Sequence, residues 1–304
     1  MQNSRTSRAD LLAPSELDAL GGLELIARAV VNGFISGLHT SPNRGFSVEF
    51  AEHRAYRPGD DLRFVDWKMY GRSDRFFLKQ YVEETNLAAQ ICLDVSGSMD
   101  WRSREDGLLT KLDYAKRLAA SLALLLVRQG DLAGLICFAD DVQARVQPRG
   151  TLAGWSELVK RLAGQSAGRS SAAAAALEEV ATRGHRRGLV LLISDLLVDE
   201  PQTRRILSKL RHQGHEILVF QIFDPGELEL PGVGDAVFVD PETGEAVPAR
   251  SSDLHAEYRA AVRSAIEEWK RECGRQGIDY HPISSDQPLG LALGEYLHTR
   301  ARLR

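Results

Sequence analysis

The chain has 304 residues, 43% of them hydrophobic and 26% charged, with a formal net charge of -4. That is enough apolar material for one large core or two small ones, and too little charge of one sign to make nucleic acid an expected partner. Three scattered cysteines, Cys92, Cys137 and Cys273, two of them in apolar strand-like runs, read as reduced, buried thiols and not as a disulfide framework or zinc site. The longest apolar stretch, Leu118 to Val127, is too short to span a bilayer, and no apolar signal core follows Arg5 and Arg8. A cytoplasmic location is expected, with peripheral membrane association left open.

Apolar positions at helical spacing run from residue 14 to 33, through Leu17, Leu20, Leu23, Ile26, Ala27, Val30 and Val31, after a Pro14-Ser15 start. A polar loop, Gly37 to Gly45, leads to Phe46–Phe50, which alternates at strand period. The Arg57–Asp61 turn, the segment Leu62–Trp67 and a strand over Phe76–Val82 complete a small β-rich region. Residues 44–84 hold eight Lys/Arg and eight Asp/Glu, so no basic stripe for nucleic acid emerges. The crowded Asp60, Asp61, Arg63, Asp66 and Arg72 read as a turn with solvated ion pairs, or alternatively as a docking patch.

From residue 88 the pattern becomes strand, helix, strand, helix. Continuous apolar runs at 88–94, 132–138, 188–194 and 216–222 predict strands covered on both faces, and Val142–Val146 an extra edge strand. Helices are expected at about 110–128, with Thr110 and Asp113 capping the start, and at 151–163, 171–182 and 201–213. After Asp224-Pro225-Gly226, which reads as a cap, come a hairpin over Val237–Val247, a helix at 253–274, a strand at 278–283 and a helix at 288–301. Alternating strands and helices predict an α/β fold with a doubly wound, mostly parallel sheet. The expected organisation is an N-terminal tail and helix over 1–35, a β-rich region over 36–86, and the α/β domain with its C-terminal extension over 87–304.

Asp94-Val95-Ser96-Gly97-Ser98 directly follows the first of these strands. A carboxylate and two hydroxyls on alternate residues, with Gly97 to let the backbone turn, can converge on a hard divalent cation. They can equally form a polar turn with local backbone hydrogen bonds. Ligands in open α/β sheets gather at the carboxyl ends of the strands, and Asp195 ends the run Leu189–Asp195. If the two strands are neighbours, Asp94 and Asp195 meet at one crevice. Gly168-Arg169-Ser170-Ser171, just before a helix, could add a further oxygen ligand. Trp101 is an interface anchor if exposed and core if buried.

Enzyme readings find less support. Ser96 stands where a phosphotransferase using Asp94 would need a second carboxylate, and there is neither a Gly-x-Ser-x-Gly elbow nor a Gly-x-x-x-x-Gly-Lys-Ser/Thr loop. A metal-assisted hydrolase at the same site remains the alternative, but the sequence offers no clear general base for it.

Asp94-x-Ser96-x-Ser98, a hydroxyl residue before a helix and Ser194-Asp195 after a strand resemble the metal-ion-dependent adhesion site (MIDAS) of von Willebrand factor A domains. The resemblance implies a magnesium or manganese ion held by Asp94, Ser96, Ser98, Ser171 and Asp195, with Ser171 (or Ser170) where the family carries threonine. His39–Pro42, Gly45–Phe50, Tyr56–Asp61, Asp66-Trp67, Asp224-Pro225, Glu227–Pro231 and Glu242–Glu245 resemble the bacterial family called domain of unknown function 58, DUF58. This second resemblance covers the chain from about residue 25 to its end. It implies a protein-binding adaptor, not an enzyme, that works with a MoxR-type AAA+ ATPase on a client protein in assembly or chaperone-like activation. A divalent ion held mainly by neutral hydroxyls is poorly compensated and can take an acidic side chain of another protein as its last ligand.

Overall fold

The computed structural model describes residues 22–40, 53–55, 70–71, 76–79, 87–103, 107–168, 173–183, 187–197, 200–229, 235–239 and 246–302. The chain divides into two compact units, residues 42–86 and the remainder. In the smaller unit, β1 (His53–Ala55) pairs antiparallel with β2 (Phe77–Lys79), and the Tyr70 ring stacks on Phe76 with centroids 4.4 Å apart. The strand expected over Phe46–Phe50 and the segment Leu62–Trp67 lie outside the described residues, as do His39's side chain and the charged residues Asp60 to Arg72.

The larger unit is built on a six-stranded sheet of β3 (Ala88–Asp94), β4 (Leu132–Phe138), β5 (Val142–Arg149), β6 (Leu189–Ser194), β7 (Glu216–Phe223) and β10 (Asp279–Ser284). Its order is β10-β7-β6-β3-β4-β5, parallel throughout except for β5, which closes one edge antiparallel to β4. The doubly wound, mostly parallel sheet read from the sequence is therefore the observed fold. A separate hairpin pairs β8 (Asp235–Val239) with β9 (Ala246–Arg250).

Successive residues of a strand point to opposite faces, so each central strand feeds two cores. Ile91, Leu93, Leu191, Ile193, Leu218 and Phe220 belong to one. Helices α1 (Leu23–Thr40), α2 (Lys111–Arg128), α3 (Leu152–Ala163) and α7 (Leu289–Arg302) supply the rest of it, through residues such as Ile26, Leu118, Trp155 and Leu293. Cys92, Val190, Leu192 and Val219 face the other core, against α4 (Ala173–Arg183), α5 (Glu200–His212) and α6 (Ser251–Gln276). Continuous apolar runs are what this double coverage requires.

Helix α1 continues to Thr40, a full turn and more beyond the end at residue 33 read from periodicity. Phe34 and Ile35 pack against the first core and carry the helix past Gly33, a residue that by itself disfavours helix. All three cysteines are buried free thiols, and burial raises each above its ordinary range, Cys137 and Cys273 to about 12. Among the described residues no helix is long and apolar enough to cross a membrane.

Candidate metal centre

Strands β3 and β6 are immediate neighbours, with Leu93 opposite Ile193. The next step of each strand therefore brings Asp94 beside Ser194, and one further step delivers Asp195. Ser194 Oγ donates to Asp94 Oδ2 at 2.7 Å, and Ser96 N donates to Asp94 Oδ1 at 2.9 Å. A short 3-10 turn over Gly97–Asp100 then folds the chain back, so that the Ser96 and Ser98 hydroxyls lie 3.1 Å apart. Asp94, Ser96, Ser98 and Asp195 are all buried. Four of the five residues expected to hold a metal are thus gathered at the carboxyl ends of two adjacent parallel strands.

The fifth, Ser171, lies outside the described residues, as does Ser170. Gly168 N donates to Val95 O at 2.6 Å, and a Cβ on Gly168 would stand 2.4 Å from Ala139 Cβ. Only glycine fits this close beside Ala139 while its backbone N bonds to the Asp94–Ser98 loop.

After Asp195 the backbone turns sharply. Leu196 takes a left-handed conformation, φ 59°, which costs on the order of 1 kcal/mol for a residue with a side chain. The turn is held by Leu196 N donating to Ser194 Oγ at 2.9 Å and Leu197 N donating to Asp195 Oδ1 at 3.1 Å. Gln221 Nε2 adds a bond to the Asp195 carbonyl at 2.8 Å. Leu197, at 60% exposure, and Trp101, at 37%, emerge from the two loops that carry the site.

Lys111 is the residue of this crevice that the sequence reading did not include. It is the first residue of α2 and fully buried, and its Nζ donates to Asp195 Oδ2 at 2.9 Å and to Glu227 Oε1 at 2.5 Å. One signal was available in the sequence. A lysine directly after a helix N-cap opposes the helix dipole, which is tolerated best when an acid lies close by. Glu227 is held in turn by Asp224, whose backbone N donates to Glu227 Oε2 at 2.8 Å. Asp224 caps the helical turn Pro225–Leu228, as its sequence context indicated, and its Oδ2 also accepts a bond from Ser103 N at 3.0 Å.

The electrostatics follow from burial. Desolvation, then the neighbouring Asp195 charge, push the Asp94 carboxyl up to about 6, against the opposing hydrogen bonds from Ser194 and Ser96. Desolvation alone would lower the Lys111 ammonium, but the charges and hydrogen bonds of Asp195 and Glu227 outweigh it and the net shift is upward. Among the described residues no three His, Cys, Asp or Glu side chains form a metal-holding group. The donors here are of another kind, hard oxygens from two carboxylates and two hydroxyls, a set that suits magnesium or manganese. The destabilised buried charge of Asp94 fits a cation as well, because a positive charge beside it would relieve that cost.

A family model described as "Protein of unknown function DUF58" matches residues 52–270. An uncharacterized protein of Mycobacterium tuberculosis is 29% identical over 275 residues, an alignment covering 88% of this chain and 85% of that protein. Among solved structures, the conserved hypothetical protein BatB from Bacteroides thetaiotaomicron is 16% identical, with 71% of this chain and 99% of that one covered and a TM-score of 0.46. The SpRpn10 VWA domain is 12% identical, with 68% and 94% covered and a TM-score of 0.39. At these TM-scores the structural likenesses carry none of the fold assignment, which rests on the strand order of this chain.

Proposed function

This chain belongs to the DUF58 family, and from that membership together with the geometry of the crevice we propose that it is a metal-dependent protein-binding adaptor. The observation that carries the reading is the convergence of Asp94, Ser96, Ser98 and Asp195 at the ends of β3 and β6. These four, with Ser171 as the expected fifth, would hold magnesium or manganese. The bound ion would supply an open coordination position for a carboxylate of another protein.

The role of each residue follows from its surroundings. Asp94 provides the buried negative charge and, through Ser96 N, fixes the loop that aims the two hydroxyls. Ser194 keeps Asp94 oriented. Asp195 shares its charge with the Lys111 ammonium, so the protein offers a divalent ion little net negative charge of its own. This supports recruitment of an acidic group from outside. Trp101 and Leu197 would give the incoming chain apolar contact beside that group.

The partner we propose is a MoxR-type AAA+ ATPase, with an additional client protein, and the activity is recognition without turnover. Affinity capture with the full chain tests this. A MoxR-type ATPase should be retained in magnesium and lost both in EDTA and with Asp94→Ala. Capture that survives both treatments overturns the metal bridge. Metal-dependent turnover of a generic phosphoester, abolished in Asp195→Ala, would establish a hydrolase instead.

A further inference from the structure

Lys111 already occupies one side of the crevice with a positive charge. Its ammonium lies between two carboxylates of different standing. Asp195, with a side chain only 2% exposed, belongs to the candidate metal centre, whereas Glu227, 22% exposed, belongs to the helical turn outside it. Both acids are braced through their second oxygen, Asp195 by Leu197 N and Glu227 by Asp224 N. A further bond from Tyr258 Oη to the Glu227 carbonyl, at 3.0 Å, anchors the turn to α6. The ammonium is thus clamped between the two acids, and a divalent ion approaching Asp195 meets a like charge in direct contact with the same carboxylate.

We propose that Lys111 is a positioning residue that competes with the divalent ion for Asp195, and that Glu227 is the acceptor that draws the ammonium away. The proposal rests on the reading of the crevice as a metal centre. It sets the ion affinity of that centre through a residue that is not a ligand. It also ties affinity to the turn over Pro225–Leu228, because Glu227 can draw on the ammonium only while that turn is capped. A tuned, weak site suits recruitment, since an ion that the protein satisfies completely has no reason to accept a ligand from outside.

The signs of two substitutions are opposite. Lys111→Met keeps an unbranched stem but removes the charge, and magnesium should then bind about tenfold tighter or more, as expected when a contacting like charge is removed from a site of low dielectric. Glu227→Gln leaves the ammonium with Asp195 as its one charged acceptor among the described residues, and magnesium should bind several-fold more weakly. In the Lys111→Met background the Glu227→Gln effect should shrink, because its route runs through the ammonium.

Calorimetric titration of the full chain with magnesium chloride, together with melting temperatures with and without magnesium, reads these effects. A merely structural lysine would lower the melting temperature of Lys111→Met and leave magnesium affinity unchanged, which overturns the proposal while leaving the metal centre standing. Weaker binding in Lys111→Met overturns it as well. Should Lys111→Met fail to fold, Glu227→Gln decides, and wild-type affinity there overturns the proposal. Binding by Lys111→Met where the wild type is silent supports the competition and corrects the metal reading of the wild type. Binding by neither overturns both.

Discussion

The carboxyl of Asp94 is fully buried, and burial and the Asp195 charge raise it from 3.8 to about 6. The folded chain therefore holds this proton more tightly than the unfolded chain does. Between about pH 4 and pH 6 the folded state binds the extra proton, so the stability of the metal-free protein falls as pH rises through that window and levels off above it. A shift of about two units corresponds to roughly 3 kcal/mol. Asp94→Asn removes this penalty. In EDTA at pH 7 the variant should be about 1–3 kcal/mol more stable than the wild type in urea denaturation, and the difference should vanish toward pH 4. In magnesium the ranking should reverse, because the variant keeps only the Asp195 charge, which the Lys111 ammonium already shares. A variant less stable than the wild type in EDTA at pH 7 would show that the hydrogen bonds to Asp94 outweigh its burial. At this scale the candidate site was legible where its residues are contiguous in sequence. Asp94, Ser96 and Ser98 announce themselves by spacing, and Asp195 by ending an apolar run. The position of Lys111 after the N-cap hinted at a nearby acid, but its meeting with Asp195 and Glu227 was not legible, because it depends on how α2 and the turn after β7 are placed in space.

Helix α2 links element geometry to the crevice. Its first residue is Lys111, and its start is fixed by Thr110, whose Oγ1 accepts a bond from Asp113 N at 3.1 Å. Thr110→Ala should cost about 1 kcal/mol, the usual worth of an N-cap, measured by chemical denaturation. Because the frayed turn carries Lys111, the same variant should also shift magnesium affinity toward that of Lys111→Met. An unchanged stability would mean that tertiary packing alone fixes the helix start. The parallel strands and most helices were legible to within about two residues because apolar runs and period-3.6 patterns are strong in long, doubly buried elements, whereas β1 was not anticipated and the edge strand β5 runs three residues past its expected end. The end of α1 was not legible either, since Gly33 and Gly37 argue against helix locally while packing of Phe34 and Ile35 argues for it. The hydroxyl expected before α4 is a different case, since α4 begins at Ala173 and Ser171 lies just ahead of it, outside the described residues.

On the scale of the whole molecule, residues 42–86 interrupt a unit that includes the helix before them. Ile26, Ala27 and Val31 of α1 are buried in the first core, so α1 completes the larger unit despite its distance in sequence from the sheet. Replacing 42–86 by a Gly/Ser linker of comparable length should leave a cooperative unfolding transition, followed by circular dichroism. Deleting residues 1–41 should destabilise the protein by several kcal/mol, on the order of 1.5–3 kcal/mol for each large buried side chain lost. Loss of cooperativity on replacing 42–86 would show that the larger unit depends on the smaller one. The strand order has one more consequence. Ser194 and Asp94 bond across 100 residues of sequence, with α2, β4, β5, α3 and α4 intervening between their strands. A growing chain that has emerged only as far as β5 possesses the Asp94–Ser98 loop but no opposing acid. Contacts of such long sequence separation form late, after the loop-closure entropy has been overcome. Cation capture would thus report that β6 has been threaded in beside β3, a checkpoint passed while β7 and β10 are still to be added.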